Sequence, residues 1–311
     1  MQKNKMIKVF IDGREGTTGL KIDERLRDRN DVKVIVLPDD LRKDVSARKE
    51  AIASSDVTFL CLPDAAAVEA VSLAANSGTV IIDASTAHRT AEGWAYGFAE
   101  LSKNHREEIA HGKHIANPGC YASGFIALIY PLIKSGIVPK DYPFVCHAVS
   151  GYSGGGKKAI AQYEASPRDP SLETPRLYAV GLEHKHLPEM VKVCGLKRTP
   201  VFNPYICDFY SGMSVSVPLF CDLIKRGTTK ETVEKILSEH YANGGFVHIK
   251  KEEGFLSANG LVGTNDMELT VNGNKERILL TATFDNLGKG ACGSAIQNMN
   301  IALGLDERLG L

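Results

Sequence analysis

An α/β fold in two domains is predicted by the way apolar and polar residues alternate along the chain. In the first 118 residues, short runs of Val, Ile and Leu alternate with helix-forming stretches, which is typical of a parallel sheet covered by helices on both faces. From about residue 145, apolar residues alternate with polar ones and the runs are joined by Gly and Asn, which is typical of antiparallel strands. The second domain is therefore expected to be of the α+β class, with a mixed or antiparallel sheet.

The first domain begins with a β-α-β unit. The run MIKVFIDG is β-rich and stops at a glycine, TTGLKIDERLRDR continues with helix-forming residues, and DVKVIVLP supplies the next strand. The alternation continues with the strand candidate SDVTFLCLP, the alanine-rich helix candidate DAAAVEAVSLAANSG and the strand candidate TVIIDAS. Repeated units of this kind predict a Rossmann-like dinucleotide-binding domain.

The second domain contains five strand candidates, after which the chain is expected to return to the first domain. The closing stretch LGKGACGSAIQNMNIALGL is a glycine-rich turn followed by a helix, which we place on the first domain. The predicted bounds are residues 1–118 with 286–311 for the dinucleotide-binding domain, and residues 119–285 for a catalytic and oligomerisation domain. The strand candidates are FVCHAVSGYSGGG, MSVSVPLF, GFVHIK, NDMELTVNGN and RILLTATFD.

Composition indicates a globular protein that acts on small molecules. The 311 residues are 43% hydrophobic and 24% charged, and Lys plus Arg equals Asp plus Glu at 37 each. Because no long basic block is present, the charge pattern argues against nucleic acid or an anionic membrane as a partner. The sequence contains no apolar run of the roughly 20 residues that span a bilayer and no cleavable apolar segment at its start, so we expect a cytoplasmic protein.

The seven cysteines are scattered, without a C-x-x-C pair or a zinc-like spacing. This argues against a disulfide framework and a structural metal. We expect most of these thiols to be reduced and buried.

The loop after the first strand is a candidate phosphate cradle. Gly13, Gly16 and Gly19 are spaced G-x-x-G-x-x-G between a strand and a helix, and the hydroxyls of Thr17 and Thr18 lie between them. Glycines permit a tight turn and close approach of a pyrophosphate, while the helix N-terminus supplies free N–H groups. The alternative is that the glycines only make a tight connection.

The stretch LPDDLRKDVSARK after the second strand should lie near the adenosine ribose of a bound dinucleotide. Asp39 or Asp40 would accept from ribose hydroxyls, which favours NAD. Arg42 and Lys43 would instead meet a 2′-phosphate, which favours NADP. A solvated loop of mixed charge is the alternative, so these residues leave the cofactor undecided.

Cys120 is the candidate nucleophile. It follows NPG, where a turn is expected, and precedes YASGFIALIYPLI, which is predicted to form an apolar helix of about three turns. A thiol at a helix N-terminus sees the positive end of the dipole, which favours the thiolate. The alternative is a small packed core residue.

The stretch GLEHKHLPEM offers a base for this thiol. Pro188 favours a helix start, so His186 would lie at the helix entry and Glu189 in its first turn, from which it could orient the His186 ring. His184 lies two positions earlier. A metal-binding pair and a surface pair without a role are the alternatives, and no further ligand lies nearby in the sequence.

Two further stretches are candidate anion sites. SGYSGGGKKA combines Ser150, the glycines that include Gly154 and Gly155, and Lys157, and would present backbone N–H groups and a positive charge to phosphate or cofactor. The alternative is a flexible hairpin connection. DASTAHR ends a strand with Ser85 and Arg89 at the sheet edge where α/β ligands bind, so Arg89 is a candidate anion clamp or part of a surface ion pair.

These elements together favour one reaction. The thiolate attacks an acyl phosphate, phosphate leaves to the glycine-rich loop, the thioester takes a hydride from a nicotinamide, and the hemithioacetal collapses to an aldehyde. His186 would give and take the proton.

The motifs NPGCYASG, SGYSGGGK, HKHLPE and GKGACGSAIQNMN, in this order over nearly the full chain, resemble the N-acetyl-gamma-glutamyl-phosphate reductases of arginine biosynthesis. The chain is similar to the shorter type of that family, which belongs to the semialdehyde dehydrogenase superfamily. IDGREGTTGLKI carries Arg14 and Glu15 where the longer type has small or aromatic residues, and DASTAHR departs from its D-L-S-A-D-F-R.

The resemblance implies NADP(H) as cofactor and Cys120 as the residue that forms the thioester. It implies His186 as the leading base of the H-x-H-x-P-E element and His184 as a substrate or phosphate contact. The C-terminal motif is expected beside the cofactor, with Asn286 as a contact. A homodimer or homotetramer is also implied. The full sets of expected contacts are Gly13, Gly16, Thr17, Thr18, Gly19, Ser85, Gly154, Gly155 and Asn286 for the cofactor, and Arg89, Ser150 and Lys157 for substrate or phosphate.

Two alternatives stay open on the sequence. A related semialdehyde dehydrogenase would act on an aspartyl or amino-adipyl phosphate, since pocket shape reads the rest of the substrate. A non-catalytic dinucleotide sensor would keep the fold without the chemistry, although Cys120, His186 and Glu189 together argue against it.

Overall fold

A computed structural model describes residues 6–75 and 77–311 and divides into two compact units. The first unit holds the described residues up to Pro118 together with Ala291–Leu311, and the second holds Gly119–Gly290. Two stretches for which the sequence makes a prediction extend outside the described residues. These are the start of the chain, at positions 1–5, and the helix candidate 64–78, at Asn76. One unit contains a parallel sheet and the other a mixed sheet, which confirms the predicted fold class.

The helices and strands have the following bounds in the described residues. The helices are α1 (Thr17–Arg27), α2 (Val45–Ser54), α3 (Asp64–Leu73), α4 (Lys103–His111), α5 (Cys120–Lys134), α6 (Gly156–Tyr163), α7 (Leu187–Cys194), α8 (Lys230–His240) and α9 (Gly293–Ala302). The strands are β1 (Ile7–Asp12), β2 (Val32–Ile35), β3 (Val57–Leu60), β4 (Val80–Asp83), β5 (Ala95–Tyr96), β6 (His114–Ala116), β7 (Val145–Gly151), β8 (Arg176–Leu177), β9 (Val201–Cys207), β10 (Met213–Phe220), β11 (Val247–Ile249), β12 (Met267–Gly273) and β13 (Arg277–Phe284).

In the first unit, six parallel strands lie in the order β2-β1-β3-β4-β6-β5. The strands are short and apolar because both faces of the sheet are covered by helices, and Val9, Phe59 and Ile82 are fully buried between them. The chain runs from β1 to β2 on one side and to β3 on the other. The carboxyl ends of β1 and β3 therefore flank the crevice where doubly wound sheets bind ligands.

Helix α2 begins inside the charged stretch that follows β2. The side chain of Asp44 accepts from the backbone N–H of Ala47 at 2.8 Å, which caps the helix. Arg48, on this helix, is buried and ion-paired rather than solvated. From Val45 onward the stretch is therefore a helix, whereas Asp39, Asp40, Arg42 and Lys43 before it are exposed.

In the second unit, seven strands form a mixed sheet in the order β11-β12-β13-β10-β7-β9-β8. The pairs β12–β13, β13–β10 and β10–β7 are antiparallel, whereas β7–β9 and β11–β12 are parallel. Helix α5 packs against this sheet at Gly124, where a Cβ would lie 2.7 Å from the Val215 side chain and 2.9 Å from Phe284. The glycine thus allows the helix that begins at Cys120 to lie close to the strands.

Helix α5 spans 15 residues, about four turns rather than the predicted three, and continues through Pro131. A proline inside a helix leaves the carbonyl four residues earlier without its N–H partner. That carbonyl, on Ala127, accepts instead from the buried hydroxyl of Tyr241 at 2.8 Å. A residue more than a hundred positions away therefore lets the helix continue.

In the described part of the chain, no helix is both long enough and apolar enough to cross a membrane. All seven cysteines are free.

Candidate functional site

The β1–α1 connection is a tight glycine turn. Gly13 has φ +82°, and a Cβ there would collide with the carbonyl oxygen of Cys61 at the end of β3. The N–H of Gly16 donates to the Gly13 carbonyl at 2.9 Å, and Gly16 is the N-cap of α1. A Cβ at Gly19 would lie 2.6 Å from the same carbonyl. Because Gly16 has no side chain to cap the helix, the N–H groups of the first turn face the loop.

Thr17 supports the assignment of this loop to a phosphate group. Its hydroxyl is buried and, within residues 6–75 and 77–311, has no hydrogen-bond partner. Buried hydroxyls are nearly always paired, so this oxygen fits a ligand such as a phosphate. Thr18 is half-buried beside it. Arg14 donates to Asp23 of α1 at 2.7 Å and so ties the loop to the helix.

A cavity of about 650 Å³ adjoins this loop and is lined by residues of β1, the β1–α1 turn and the segment after β2. Asp39, Arg42 and Lys43 all line it, so carboxylate and cationic chemistry for the adenosine ribose lie side by side. Arg42 pairs with both Glu15 and Asp39 at 3.1 Å. The cavity is the right size for a nucleoside, since ligand pockets span about 300 to 1,000 Å³.

One side of the cavity is a buried ion-pair network. Arg48 donates to Asp12 at 2.9 and 3.1 Å and to Glu69 at 2.8 Å. Burial raises the pKa of Asp12, although the hydrogen bond from Arg48 acts in the opposite direction. The network fixes the carboxyl end of β1 to α2 and α3.

Ser85 and Arg89 lie at the carboxyl edge of the same sheet. Ser85 is buried, and its hydroxyl donates to Asp83 at 2.7 Å. Arg89 donates through Nε to the Asn117 carbonyl and through Nη2 to the Ala84 carbonyl, each at 3.0 Å. Both residues thus help to order this edge, and their roles as ligand contacts stay predictions.

Cys120 is the first residue of α5, with Gly119 as N-cap. Its thiol is at the positive end of a four-turn helix, and the residue is partly exposed. Cys146 and Cys194 are buried instead, and burial raises the pKa of both thiols far above the usual value. Position therefore distinguishes Cys120 from these core cysteines.

Glu189 connects the histidine element to the turn that precedes Cys120. Helix α7 begins at Leu187 with Pro188 in its first turn and His186 as N-cap, as predicted. The Glu189 carboxylate is 1% exposed and accepts from the backbone N–H of Gly119 at 3.1 Å, across 70 residues of sequence. The role predicted for Glu189 in orienting the His186 ring stays a prediction.

The two histidines meet aromatic residues beside Cys120. The His184 and His186 rings are 4.7 Å apart, and each lies 5.9 Å from the ring of Tyr121. Nδ1 of His184 accepts from the His186 backbone N–H at 3.1 Å, so the proton of a neutral His184 is on Nε2, which faces the Tyr178 hydroxyl at 3.4 Å. Burial, followed by the neighbouring Tyr178 and Cys120, raises the pKa of Tyr121 well above its usual value.

The SGYSGGG stretch is buried at its first residue and exposed at two of its last glycines. Ser150 is buried at the end of β7, whereas Gly154 and Gly155 are exposed and lead into α6, with Lys157 exposed in its first turn. The hairpin alternative is wrong, because the stretch ends in this helix. A Cβ at Gly154 would lie 3.0 Å from the Ser150 hydroxyl.

Asn286 and its neighbour Asp285 hydrogen-bond to that stretch and to the segments around it. The Asn286 side chain accepts from the Gly212 N–H at 2.7 Å and donates to the Ser153 hydroxyl at 3.0 Å. Asp285 accepts from the Ser211 hydroxyl and from the Gly263 N–H, the latter at 2.9 Å. Asn286 was expected as a cofactor contact, and that role stays a prediction beside the structural one found here.

The predicted residues fall into one set per unit. Sequence reasoning missed Tyr121 and Tyr178, whose rings pack on His184, and Asp285, which shares the Ser211 hydroxyl with Asn286. The run NPGCY includes Tyr121, but its packing on both histidines has no sequence signal. The first unit holds Gly13, Gly16, Thr17, Thr18, Gly19, Ser85 and Arg89, and the second holds Cys120, Ser150, Gly154, Gly155, Lys157, His184, His186, Glu189 and Asn286.

Comparison with protein families matches both parts of the chain. Residues 8–110 match the family described as semialdehyde dehydrogenase, NAD binding domain, and residues 120–286 match the semialdehyde dehydrogenase, dimerisation domain. Solved structures share the fold: aspartate semialdehyde dehydrogenase II of Vibrio cholerae, complexed with ASA, is 15% identical with a TM-score of 0.73, covering 96% of this chain and 99% of that one. The Candida albicans aspartate semialdehyde dehydrogenase with NADP is 12% identical with a TM-score of 0.68, covering 96% and 98%.

Curated relatives are similar over nearly their full length. A protein of Burkholderia cenocepacia is 44% identical over 303 residues, which cover 95% of this chain and 97% of that protein. One of Trichormus variabilis is 43% identical over 318 residues, covering 98% and 99%. Both are named N-acetyl-gamma-glutamyl-phosphate reductase.

Proposed function

The chain belongs to the N-acetyl-gamma-glutamyl-phosphate reductase family of semialdehyde dehydrogenases, and we propose that it catalyses that reaction in arginine biosynthesis. N-acetyl-gamma-glutamyl phosphate and NADPH would give N-acetylglutamate 5-semialdehyde, phosphate and NADP. The contact between Glu189 and Gly119 carries the proposal, because it joins the H-x-H-x-P-E element to the turn that bears Cys120. Two motifs far apart in sequence thus act on one reacting centre.

Cys120 is the nucleophile in this proposal. Its thiolate forms a bond to the acyl carbon, and the bond from that carbon to the phosphate oxygen breaks, leaving a thioester and inorganic phosphate. The N-terminus of α5 stabilises the thiolate electrostatically. The exposed residues Gly154 and Gly155 at the entry of α6, with Lys157 in its first turn, are suited to the departing phosphate.

His186 gives and takes the proton. It accepts the thiol proton before attack, donates a proton to the oxygen as hydride transfer forms the hemithioacetal, and takes that proton back as the C–S bond breaks to release the aldehyde and the Cys120 thiolate. A base at the entry of α7, packed on Tyr121, suits both steps. His184, fixed between the His186 backbone and Tyr178, is suited to contact substrate.

Gly13, Gly16, Thr17, Thr18 and Gly19 would hold the pyrophosphate of NADPH. When bound, this cofactor supplies the hydride that reduces the thioester carbonyl. Arg42 and Lys43, which line the adjacent cavity, would hold the 2′-phosphate that distinguishes NADPH from NADH. Ser85 and Asn286 are further cofactor contacts in this proposal, and Arg89 is a contact for the anionic substrate.

The test is phosphate-dependent reduction of NADP by the purified protein with N-acetylglutamate semialdehyde, with aspartate semialdehyde as comparison. We expect preference for the first substrate and loss of at least about 1,000-fold in rate for Cys120→Ser. Cys221→Ser is the matched control, since Cys221 is also partly exposed but lies outside this site. Equal rates for Cys120→Ser and wild type would refute the thioester mechanism, and preference for aspartate semialdehyde would refute the substrate.

A homo-oligomer, as a dimer or tetramer, is also part of the proposal. In the second unit, one face of the mixed sheet carries exposed apolar residues: Val201, Phe220 and Leu279 are 41%, 52% and 40% exposed. The strand register places them on the same face, opposite the one against α5. Sedimentation of wild type and Phe220→Glu tests this assignment, and a monomeric wild type at micromolar concentration would refute it.

Because the seven cysteines are free, we also place the enzyme in the reducing cytoplasm.

A further inference from the structure

Asn265, just before β12 in the second unit, has an unusual environment. Its side chain is 2% exposed, and within the part of the chain that the structure describes neither Oδ1 nor Nδ2 has a hydrogen-bond partner. Both ends of a buried amide are normally paired, because leaving them unpaired costs free energy. A ligand that offers one donor and one acceptor would complete this site.

The side chain of Asn265 belongs to the face of the sheet that packs on α5. Side chains alternate along an extended segment. Asp266 is partly exposed and pairs with His248 at 2.9 Å, whereas Met267 is buried opposite Phe284. Asn265 therefore shares the inner side with Met267, and Phe284 on that side contacts Gly124 of α5.

The Asn265 segment lies close to the nucleophile. A Cβ at Gly288 would collide with the carbonyl oxygen of Thr264, the residue before Asn265. Two residues farther on, a Cβ at Gly290 would lie 2.9 Å from Cβ of Cys120. Since two residues span at most about 7.6 Å, the residue before Asn265 and the Cβ of Cys120 lie against the two ends of one short stretch of chain.

We propose that the Asn265 amide binds the amino-acid end of the substrate. Oδ1 would accept from the acetamido N–H, and Nδ2 would donate to the α-carboxylate on the same carbon. This inference rests on the proposed function and assigns a substrate-binding residue to it.

The chemistry of the substrate selects this end over the reacting one. The phosphate and the acyl carbonyl offer acceptors, which would pair Nδ2 and leave Oδ1 without a donor. The acetamido group carries the only N–H of the substrate, about 5 Å along the chain from the carbon that Cys120 attacks. An N–H and a carboxylate oxygen on one carbon present a donor and an acceptor side by side, which matches the two ends of a side-chain amide.

The test compares three aldehydes in the phosphate-dependent oxidation: N-acetylglutamate semialdehyde, glutarate semialdehyde, which lacks the acetamido group, and butanal, which lacks both groups. For Asn265→Leu we expect kcat/KM to fall about 10- to 100-fold with the first substrate, less with the second and under about twofold with butanal, mostly through KM. Asn259→Leu is the matched control, because Asn259 is exposed in the same segment.

Thermal unfolding separates binding from a structural role. Because Asn265 has no partner among the described residues, Asn265→Leu should unfold at or above the wild-type temperature. Equal losses with all three aldehydes, or a lowered unfolding temperature with unchanged substrate discrimination, would overturn the inference.

The nearly isosteric Asn265→Asp provides a second reading. The kcat/KM of this variant should fall more with the carboxylate-bearing substrates than with 4-acetamidobutanal, which lacks the carboxylate. An equal fall in kcat/KM with both kinds of substrate would also overturn the inference. Wild type without activity on N-acetylglutamate semialdehyde overturns the proposed function itself, an outcome distinct from these.

Discussion

Replacing Glu189 tests whether the H-x-H-x-P-E element only supports the turn before Cys120 or also takes part in proton transfer. Glu189→Gln keeps the size of the side chain and an oxygen that can accept from Gly119, but removes the negative charge. Glu189→Leu removes both. The carboxylate is 1% exposed and 3.1 Å from the Gly119 nitrogen, so each change acts at a dry site.

The expected losses of stability follow from that hydrogen bond. A bond to a charged group contributes about 1.5 to 3 kcal/mol, and a neutral one about 1. Glu189→Gln should therefore lower the free energy of unfolding by about 1 kcal/mol. Glu189→Leu leaves the buried Gly119 N–H unpaired and should cost about 2 to 3 kcal/mol, or roughly 4 to 6 °C in Tm.

The rate of catalysis is expected to respond to these two substitutions differently from stability. If Glu189 stabilises the charged form of His186 during catalysis, Glu189→Gln should lower kcat at least about 10-fold while the protein stays folded, since tenfold in rate needs only about 1.4 kcal/mol. The assay is the pH–rate profile of both variants, with urea unfolding in parallel. A Glu189→Gln enzyme with wild-type kcat at every pH would show that the residue only supports the turn and would refute its place in proton transfer.

Three further predictions concern other parts of the chain. Thr17→Val should leave Tm unchanged, because the hydroxyl has no partner among the described residues, and should raise the KM for NADP about 5- to 10-fold; an unchanged KM would remove Thr17 from the cofactor site. Burial raises the pKa of Asp23, but hydrogen bonds from Arg14 and Arg27 outweigh it and hold the pKa below its usual value. Asp23→Asn should thus cost about 1 kcal/mol at neutral pH, a cost that shrinks as the pH falls below about 4 and is lost below the folded-state pKa; urea unfolding from pH 7 to 2.5 checks it, and a constant difference would contradict it. Tyr241→Phe should cost about 1 to 2 kcal/mol in wild type but under about 0.5 in a Pro131→Ala background, where the restored N–H pairs with the Ala127 carbonyl; equal costs would argue against that role of the tyrosine.

The fold class was predictable because the relevant signals are local. Apolar runs separated by helix-forming stretches indicate a parallel sheet wherever they occur, and the structure confirms one. Helix α2 was missed because its apolar residues are few and Arg48, a charged residue, points inward to Asp12. The length of α5 was underestimated because a proline normally ends a helix, and the compensating hydroxyl of Tyr241 is contributed by a distant helix end.

The candidate site was predictable only residue by residue. The setting of Cys120 at a helix N-terminus and of His186 at a helix entry follows from neighbours within a few positions, and both elements are where the sequence indicates. The contact from Glu189 to Gly119 spans 70 residues, and no local pattern specifies it. The same holds for Asn265, which reads as an ordinary turn residue before a strand until its burial is known.

The candidate site is rich in glycine, which explains why side chains from distant parts of the chain must hold its loops in shape. Glycine-rich segments such as SGYSGGG lose more conformational entropy on ordering than other sequences, so they cannot hold a defined shape by themselves. Here buried polar side chains on separate elements order them: Glu189 accepts from the turn before Cys120, and Asn286 donates to the Ser153 hydroxyl of the stretch. Asp285, next to Asn286, also holds the segment that carries Asn265. One pair of side chains therefore positions both the stretch that we assign to phosphate and the residue that we assign to the far end of the substrate. Changes at this pair should therefore affect the binding of both ends of the substrate together, whereas changes at Asn265 should affect only one.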